Sequence, residues 1–256
     1  MPLKLNKIES NVVAGNVANN RTRLQSFLTA DSASPMCSDP IRYARRLSDA
    51  AVELGLGLYQ QEGSPEEIRH SFDLAGSYLC SILLMNQPNA ALSPLEFEKA
   101  LALADCFSQP SVLAGIASVP FTKFFSDAQA LAFYALMARQ LDLIRAFITT
   151  GHFDQAAAQQ LESACTQNNA DRFDAVVTLA KLRALKAVST GDEATFNASI
   201  ETLIKDHEDQ ALHGENQRST RAFICFPALM FVHLGAARNL ACTVQSPYLP
   251  IQLLNR

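Results

Sequence analysis

The sequence predicts an all-α protein, a stack of antiparallel helical hairpins (α-solenoid-like) with about nine or ten helices of ordinary length. Three observations carry this expectation. Proline and small polar residues mark helix starts, apolar residues recur at the helical period after those marks, and glycines stop the helices at a repeating interval. No convincing run of β-branched residues alternates with polar ones.

Four starts are marked independently of hydrophobicity. Proline lacks the amide hydrogen a helix interior needs but suits the first turn. Asp39-Pro40 gives the first start. Ser64-Pro65-Glu66-Glu67 and Ser93-Pro94-Leu95-Glu96 each place serine at the N-cap, proline next and glutamate at the third position, the pattern of a capping box. Ser126-Asp127-Ala128-Gln129 supplies the fourth start by similar chemistry. After Ser64, Ile68, Phe72, Ala75 and Leu79 form one apolar stripe; after Ser126, the stripe is Leu131, Ala135, Ala138, Leu141, Ile144 and Ile148. From Asp171 to Thr190 it continues through Phe173, Val177, Ala180, Ala184, Leu185 and Val188.

Gly151 and Gly191 each end one of these helices, 40 residues apart, and Gly63 lies close to two such units upstream. Side-by-side helix pairs explain the spacing. Gly55-Leu56-Gly57 resembles the opening of a glycine-rich loop, but no third glycine follows and no strand precedes it, so it reads as a weak spot near a helix end. The apolar run from Ala222 to Val232 has no polar face and belongs at the centre, with Pro227 either kinking its helix or marking the first turn after an approach from Arg218. Beyond Ser246-Pro247-Tyr248-Leu249-Pro250, the residues Ile251, Leu253 and Leu254 suggest a tail that packs back onto the body.

With 256 residues, 48% hydrophobic and 18% charged, the chain suits one globular all-helical domain over residues 1–256. Its longest apolar stretch is far below the roughly 18–20 residues of a bilayer span, and no secretory signal is visible at the start, so no membrane association and a cytoplasmic location are expected. The formal charge of −4 argues against a broad phosphate-gripping surface and hence against nucleic acid as partner. The deficit is local: residues 61–125 hold seven acids (Glu62, Glu66, Glu67, Asp73, Glu96, Glu98, Asp105) against three bases (Arg69, Lys99, Lys123). A second acidic run comprises Glu201, Asp206, Glu208, Asp209 and Glu215.

Chemistry-bearing motifs are missing from the sequence. The six cysteines are scattered with no C-x-x-C, as befits small core residues in a reducing compartment. Cys37 lies in a loop with no adjacent cation to activate it. Among the five histidines, His207 and His213 stand six apart, off the spacing that shares one helix face, in what reads as a solvated acidic loop; His233 reads as a hydrogen-bonded core residue. Phosphate loops, nucleophile elbows and zincin motifs are not found. The sequence therefore assigns no catalytic residue, cofactor or metal ligand, and no enzyme activity is expected. An all-α site assembled from distant residues, around His70, His152 or His233, is the remaining enzymatic alternative.

The C-terminal third resembles a known family. A small-residue helix read over residues 229–242, with Leu234-Gly235-Ala236-Ala237 inside it, then Ser246-Pro247-Tyr248-Leu249-Pro250 and Leu253-Leu254, is similar to the end of the immunity-49 family of bacterial polymorphic-toxin immunity proteins over about 30 residues. The resemblance implies a cytoplasmic antidote that binds one effector toxin, commonly a nuclease, and neutralises it stoichiometrically. It transfers no residue role. A nuclease presents a basic cleft, so the expected contact is an acidic face that steers association. The candidate toxin-binding residues are Glu62, Glu66, Glu67 and Asp73 on one side and Asp206, Glu208, Asp209 and Glu215 on the other. A generic helical-repeat adaptor for another protein is the alternative reading.

Overall fold

Capping chemistry starts the helices where the sequence marks them. The computed structural model describes residues 3–30, 34, 37–85, 92–120, 134–167 and 172–254. Among these, ten α-helices and two 3₁₀ turns follow in order, with no strand: α1 (Ser10–Leu28), α2 (Pro40–Gln60), α3 (Pro65–Leu84), α4 (Pro94–Phe107), α5 (Pro110–Ser118), α6 (Ala135–Thr150), α7 (Gln155–Gln167), α8 (Arg172–Thr190), α9 (Glu193–Leu212), a 3₁₀ turn (Thr220–Phe223), α10 (Phe226–Ala236) and a second 3₁₀ turn (Ile251–Leu253).

Asp39 caps α2 by accepting from the Arg42 amide. The capping box at α4 is complete, Ser93 Oγ accepting from the Glu96 amide while Glu96 Oε2 accepts from the Ser93 amide at 2.8 Å. The box expected at α3 is only half formed. Ser64 accepts from the Glu67 amide at 3.5 Å, but α1 brings Arg21 to the Glu67 carboxylate at 2.6 Å and draws it away from the cap. The start at Ser126 lies outside the described residues, as do Leu131, Asp171 and the side chain of Phe173.

Both stop glycines hold the left-handed conformation, Gly151 at φ 68° and Gly191 at φ 77°, and each joins a helix to its antiparallel successor. The left-handed residue after α2 is Glu62, at φ 55°, and not Gly63. Sequential helices then pack as adjacent pairs, most extensively α2 with α3, α8 with α9 and α1 with α2.

The core sits where α10 lies on α4, with α8 and α9 on its other sides. Ala100, Leu101, Ala102 and Leu103 of α4 are all fully buried, as are Ala228, Leu229, Met230 and Phe231 of α10, so neither helix has a wet face along its middle. At about 1.5–3 kcal/mol per fully buried large side chain, this pair contributes strongly to the apolar core. Pro227 sits in the first turn of α10 and does not kink it. That helix is shorter than the sequence suggests. It ends at Ala236, where Asn239 takes φ 61° and the Leu240 amide returns to the Gly235 carbonyl, so residues 237–242 are not helical.

The two ends of the chain are fastened to each other. The Leu3 amide donates to the Gln60 carbonyl at 2.8 Å and the Lys7 amide to the Gln217 carbonyl at 2.9 Å. Tyr248 Oη donates to the Leu5 carbonyl at 2.7 Å, Tyr59 Oη donates to the Pro247 carbonyl, and Leu253 is buried, so the tail does pack back onto the body.

Candidate functional site

The two acidic stretches meet different fates. In the first, Glu62 follows α2, Glu66 is exposed in the first turn of α3, Glu67 is neutralised by Arg21 at 2.6 Å, and Asp73 is half-buried beside Ser108, whose hydroxyl donates to the Asp73 carbonyl. Helix-start physics and one ion pair account for most of it.

The second stretch is helical, contrary to the solvated loop expected, because α9 runs on to Leu212. Its period turns His207 inward, where Nε2 bonds to the Ala222 carbonyl at 2.9 Å and the ring meets Tyr248 edge-on at a centroid distance of 5.4 Å. Burial pulls the His207 imidazole below its usual pKa. Glu208 and Asp209 are turned outward; Asp206 is half-buried and Glu215 is exposed in the loop beyond. Asp209 pairs with His213 at 3.1 Å and Glu201 with Lys205 at 3.0 Å, both in the open, where such pairs contribute little. Glu208 has neither ion pair nor hydrogen bond among the described residues.

Glu208 also lines a groove of about 570 Å³ between α9 and the tail, shared with Asn197, Glu201, Ile204, Lys205 and residues 243–247. The tail segment that forms the far bank gives no sequence signal, because the left-handed turn at Asn239 that carries it there lies in a run that reads as helix. Asn197 was missed too, since an isolated asparagine on a helix gives no signal. Its Nδ2 donates to the Ala241 carbonyl at 3.0 Å and its Oδ1 accepts from the Thr243 amide at 2.7 Å, pinning the tail to α9 at one end of the groove. The terminal strap places the first acidic stretch nearby. Gln60, two residues before Glu62, holds Leu3, and Gln217, two after Glu215, holds Lys7, so at most about 14 Å of extended chain separates the two anchor points.

A second groove of about 580 Å³ crosses α7, α8 and α9 on the other side of Ala198, lined by Gln159, Glu162, Val176, Arg183, Lys186 and Thr195 among others. Its charges balance, Arg183 and Lys186 against Glu162 and Asp192, and Asp192 is committed to capping α9.

Other titratable groups converge inside the stack, several of them in pairs. Lys181 and Glu98 form a buried pair at 2.6 Å between α8 and α4. Asp105 and His233 are joined at 2.9 Å between α4 and α10, so His233 is the hydrogen-bonded core histidine expected of it. Between α2 and α4 runs a seam in which Arg45 holds Glu96 at 2.6 Å and Thr220 donates to Glu53 at 2.7 Å. Lys99 lies in that seam, its pKa lowered by burial despite the fields of Asp49 and Glu96. Burial pushes the Cys225 thiol up to about 12, which leaves it inert at neutral pH.

Among the described residues no three His, Cys, Asp or Glu side chains could hold a metal ion, and no helix is long and apolar enough to cross a membrane. No protein-family model, curated protein or solved structure matches the chain.

Proposed function

We propose that this chain is an immunity protein that binds and neutralises a cytoplasm-acting bacterial effector toxin, with a nuclease as the expected target, by covering its active site or a neighbouring surface. The contact in this reading is the acidic bank of α9 together with the tail. One observation supports it most: Glu208 stands unpaired on the lip of a groove, with Glu201, Asp209 and Glu215 on the same helix and the loop that follows it. An uncompensated carboxylate beside a concavity suits the basic cleft of a phosphodiesterase, and it accelerates encounter more than it adds affinity. Tyr248, Leu249, Leu253 and Leu254 of the tail are buried against the body, within the segment that carries the family resemblance. The antidote binds and turns over nothing in this reading, and the internal charge pairs are structural.

The test is co-expression with the product of the neighbouring open reading frame. Protection of the cells and a stable one-to-one complex are the expected results; a purified chain that neither binds nor protects ends the reading. Charge reversal of Glu208, Asp209 and Glu215 should slow association about tenfold at low salt with thermal stability unchanged. The matching set at Glu66, Glu67 and Asp73 should slow it far less. If the neighbouring product is not a toxin and the chain captures a different protein, the adaptor reading takes its place.

A further inference from the structure

The tail bank of the groove carries an unfinished series of backbone hydrogen bonds. Residues 240–246 run straight, with neither turn nor bend. In an extended chain the carbonyl of one residue and the amide two positions on point to the same side. Asn197 uses one such pair, the Ala241 carbonyl and the Thr243 amide, through the two ends of its side-chain amide at 3.0 and 2.7 Å. The next pair in the series is the Thr243 carbonyl and the Gln245 amide, on the same side and one step further into the groove. Neither has a hydrogen-bond partner among the described residues. Opposite them α9 presents Glu201, Ile204 and Glu208. A free main-chain edge, an apolar floor and an unpaired carboxylate thus face one another across a cleft.

We infer that this groove takes an extended, lysine- or arginine-bearing segment of the partner, which pairs its backbone with Thr243 and Gln245 as an added strand and sets a cationic side chain against Glu208. The inference rests on the proposed antidote reading and specifies the partner's contacting element. Main-chain pairing supplies the affinity, and alternate side chains, one toward Glu208 and the next away from it, supply the selectivity. Charge complementarity selects this occupant: along residues 201–209 of α9 four carboxylates stand against Lys205 alone, and Lys205 is already paired with Glu201. The side-chain amide of Asn197 shows the size of group the edge accepts.

The probe is a fluorescent, end-capped octapeptide of alternating lysine and threonine, followed by anisotropy, with a second octapeptide of identical charge whose threonine amides are N-methylated. The parent should bind saturably and the methylated peptide about tenfold or more weaker, because methylation removes the threonine main-chain donors while leaving the charge unchanged. Gln245→Pro deletes the amide hydrogen at the edge and should weaken the parent to the same extent. Its thermal unfolding should match the wild type, since that hydrogen has no partner in the fold. Glu208→Lys should weaken both peptides. If the parent does not bind saturably, or if it binds as well after N-methylation and to Gln245→Pro, strand pairing is refuted. The neighbouring gene product separates this inference from the reading beneath it. Binding that falls with Glu208→Lys but not with Gln245→Pro keeps the antidote and removes the added strand. A parent octapeptide that behaves as expected beside a gene product that does not bind keeps the edge and removes the antidote.

Discussion

Asp105 of α4 accepts a hydrogen bond from Nδ1 of His233 on α10 at 2.9 Å, which ties together the two helices that form the centre of the stack. Asp105 is almost wholly buried, whereas His233 keeps a 29% exposed side chain. Burial pushes the Asp105 carboxyl up, with the His233 hydrogen bond drawing it back, and that same bond lifts the imidazole above its usual value.

Both groups therefore hold protons more tightly folded than unfolded. The stabilisation from His233 is complete below its unfolded value of about 6.5 and is lost as pH rises through its raised folded value. His233→Asn, which can still donate to Asp105 but carries no charge, should cost about 1–2 kcal/mol at pH 6, after allowance for the exposed face of the ring, and about half that at pH 9. Urea denaturation at the two pH values measures the difference. A cost independent of pH would show that the pair is never ionised. His207, whose pKa is shifted the opposite way, is common to both proteins and cancels.

The Glu98–Lys181 pair makes a different prediction because both side chains are enclosed, at 6% and 8% exposure. Lys181→Met leaves a carboxylate buried without its ammonium and should cost about 3–5 kcal/mol. Glu98→Leu combined with Lys181→Met removes both charges and should recover most of that loss. A double-mutant cycle in denaturant decides it; additive single losses would show that the pair is uncoupled.

Much of the fold was legible because its signals are local. Asp39-Pro40 and Ser93-Pro94 start helices through bonds that span three residues, and Gly151 and Gly191 stop them through φ alone. What failed to show depends on neighbours distant in sequence. Glu67 leaves its cap for Arg21, 46 residues away, and nothing in the motif around Ser64 reveals that. α1 carried no capping mark and was not foreseen, although Val13, Val17, Leu24 and Phe27 are buried at helical spacing. On the candidate surface, Glu208 was nameable as an acidic residue, but its groove was not, since the far bank is a tail segment brought there by the left-handed turn at Asn239.

The two serine caps separate local sequence from tertiary outcome. Ser93→Ala breaks a reciprocal box and should cost about 1 kcal/mol, whereas Ser64→Ala loses a single 3.5 Å bond and should cost roughly half as much. Equal losses in thermal unfolding would mean that the Glu96 carboxylate, which also holds Arg45, contributes nothing through the box.

Gly55 tests whether packing or propensity decides at the α2–α3 contact. In a helix interior, glycine to alanine ordinarily gains about 1 kcal/mol. Here the glycine lies in α2 five residues before its end, near the helix end expected of it, and an added β-carbon would stand 2.6 Å from Cε1 of Phe72. That ring is fully buried and cannot retreat, being tilted against Phe107 at a centroid distance of 5.0 Å and edge-on at 5.3 Å to Phe226. Overpacking of about 1–3 kcal/mol should exceed the propensity gain, so Gly55→Ala is expected to lower the unfolding midpoint. Gly55→Ala combined with Phe72→Leu, which opens space on the same contact, should be less destabilised than the sum of the two single changes. A single variant more stable than wild type would show that the two helices are not held at their closest approach by this residue.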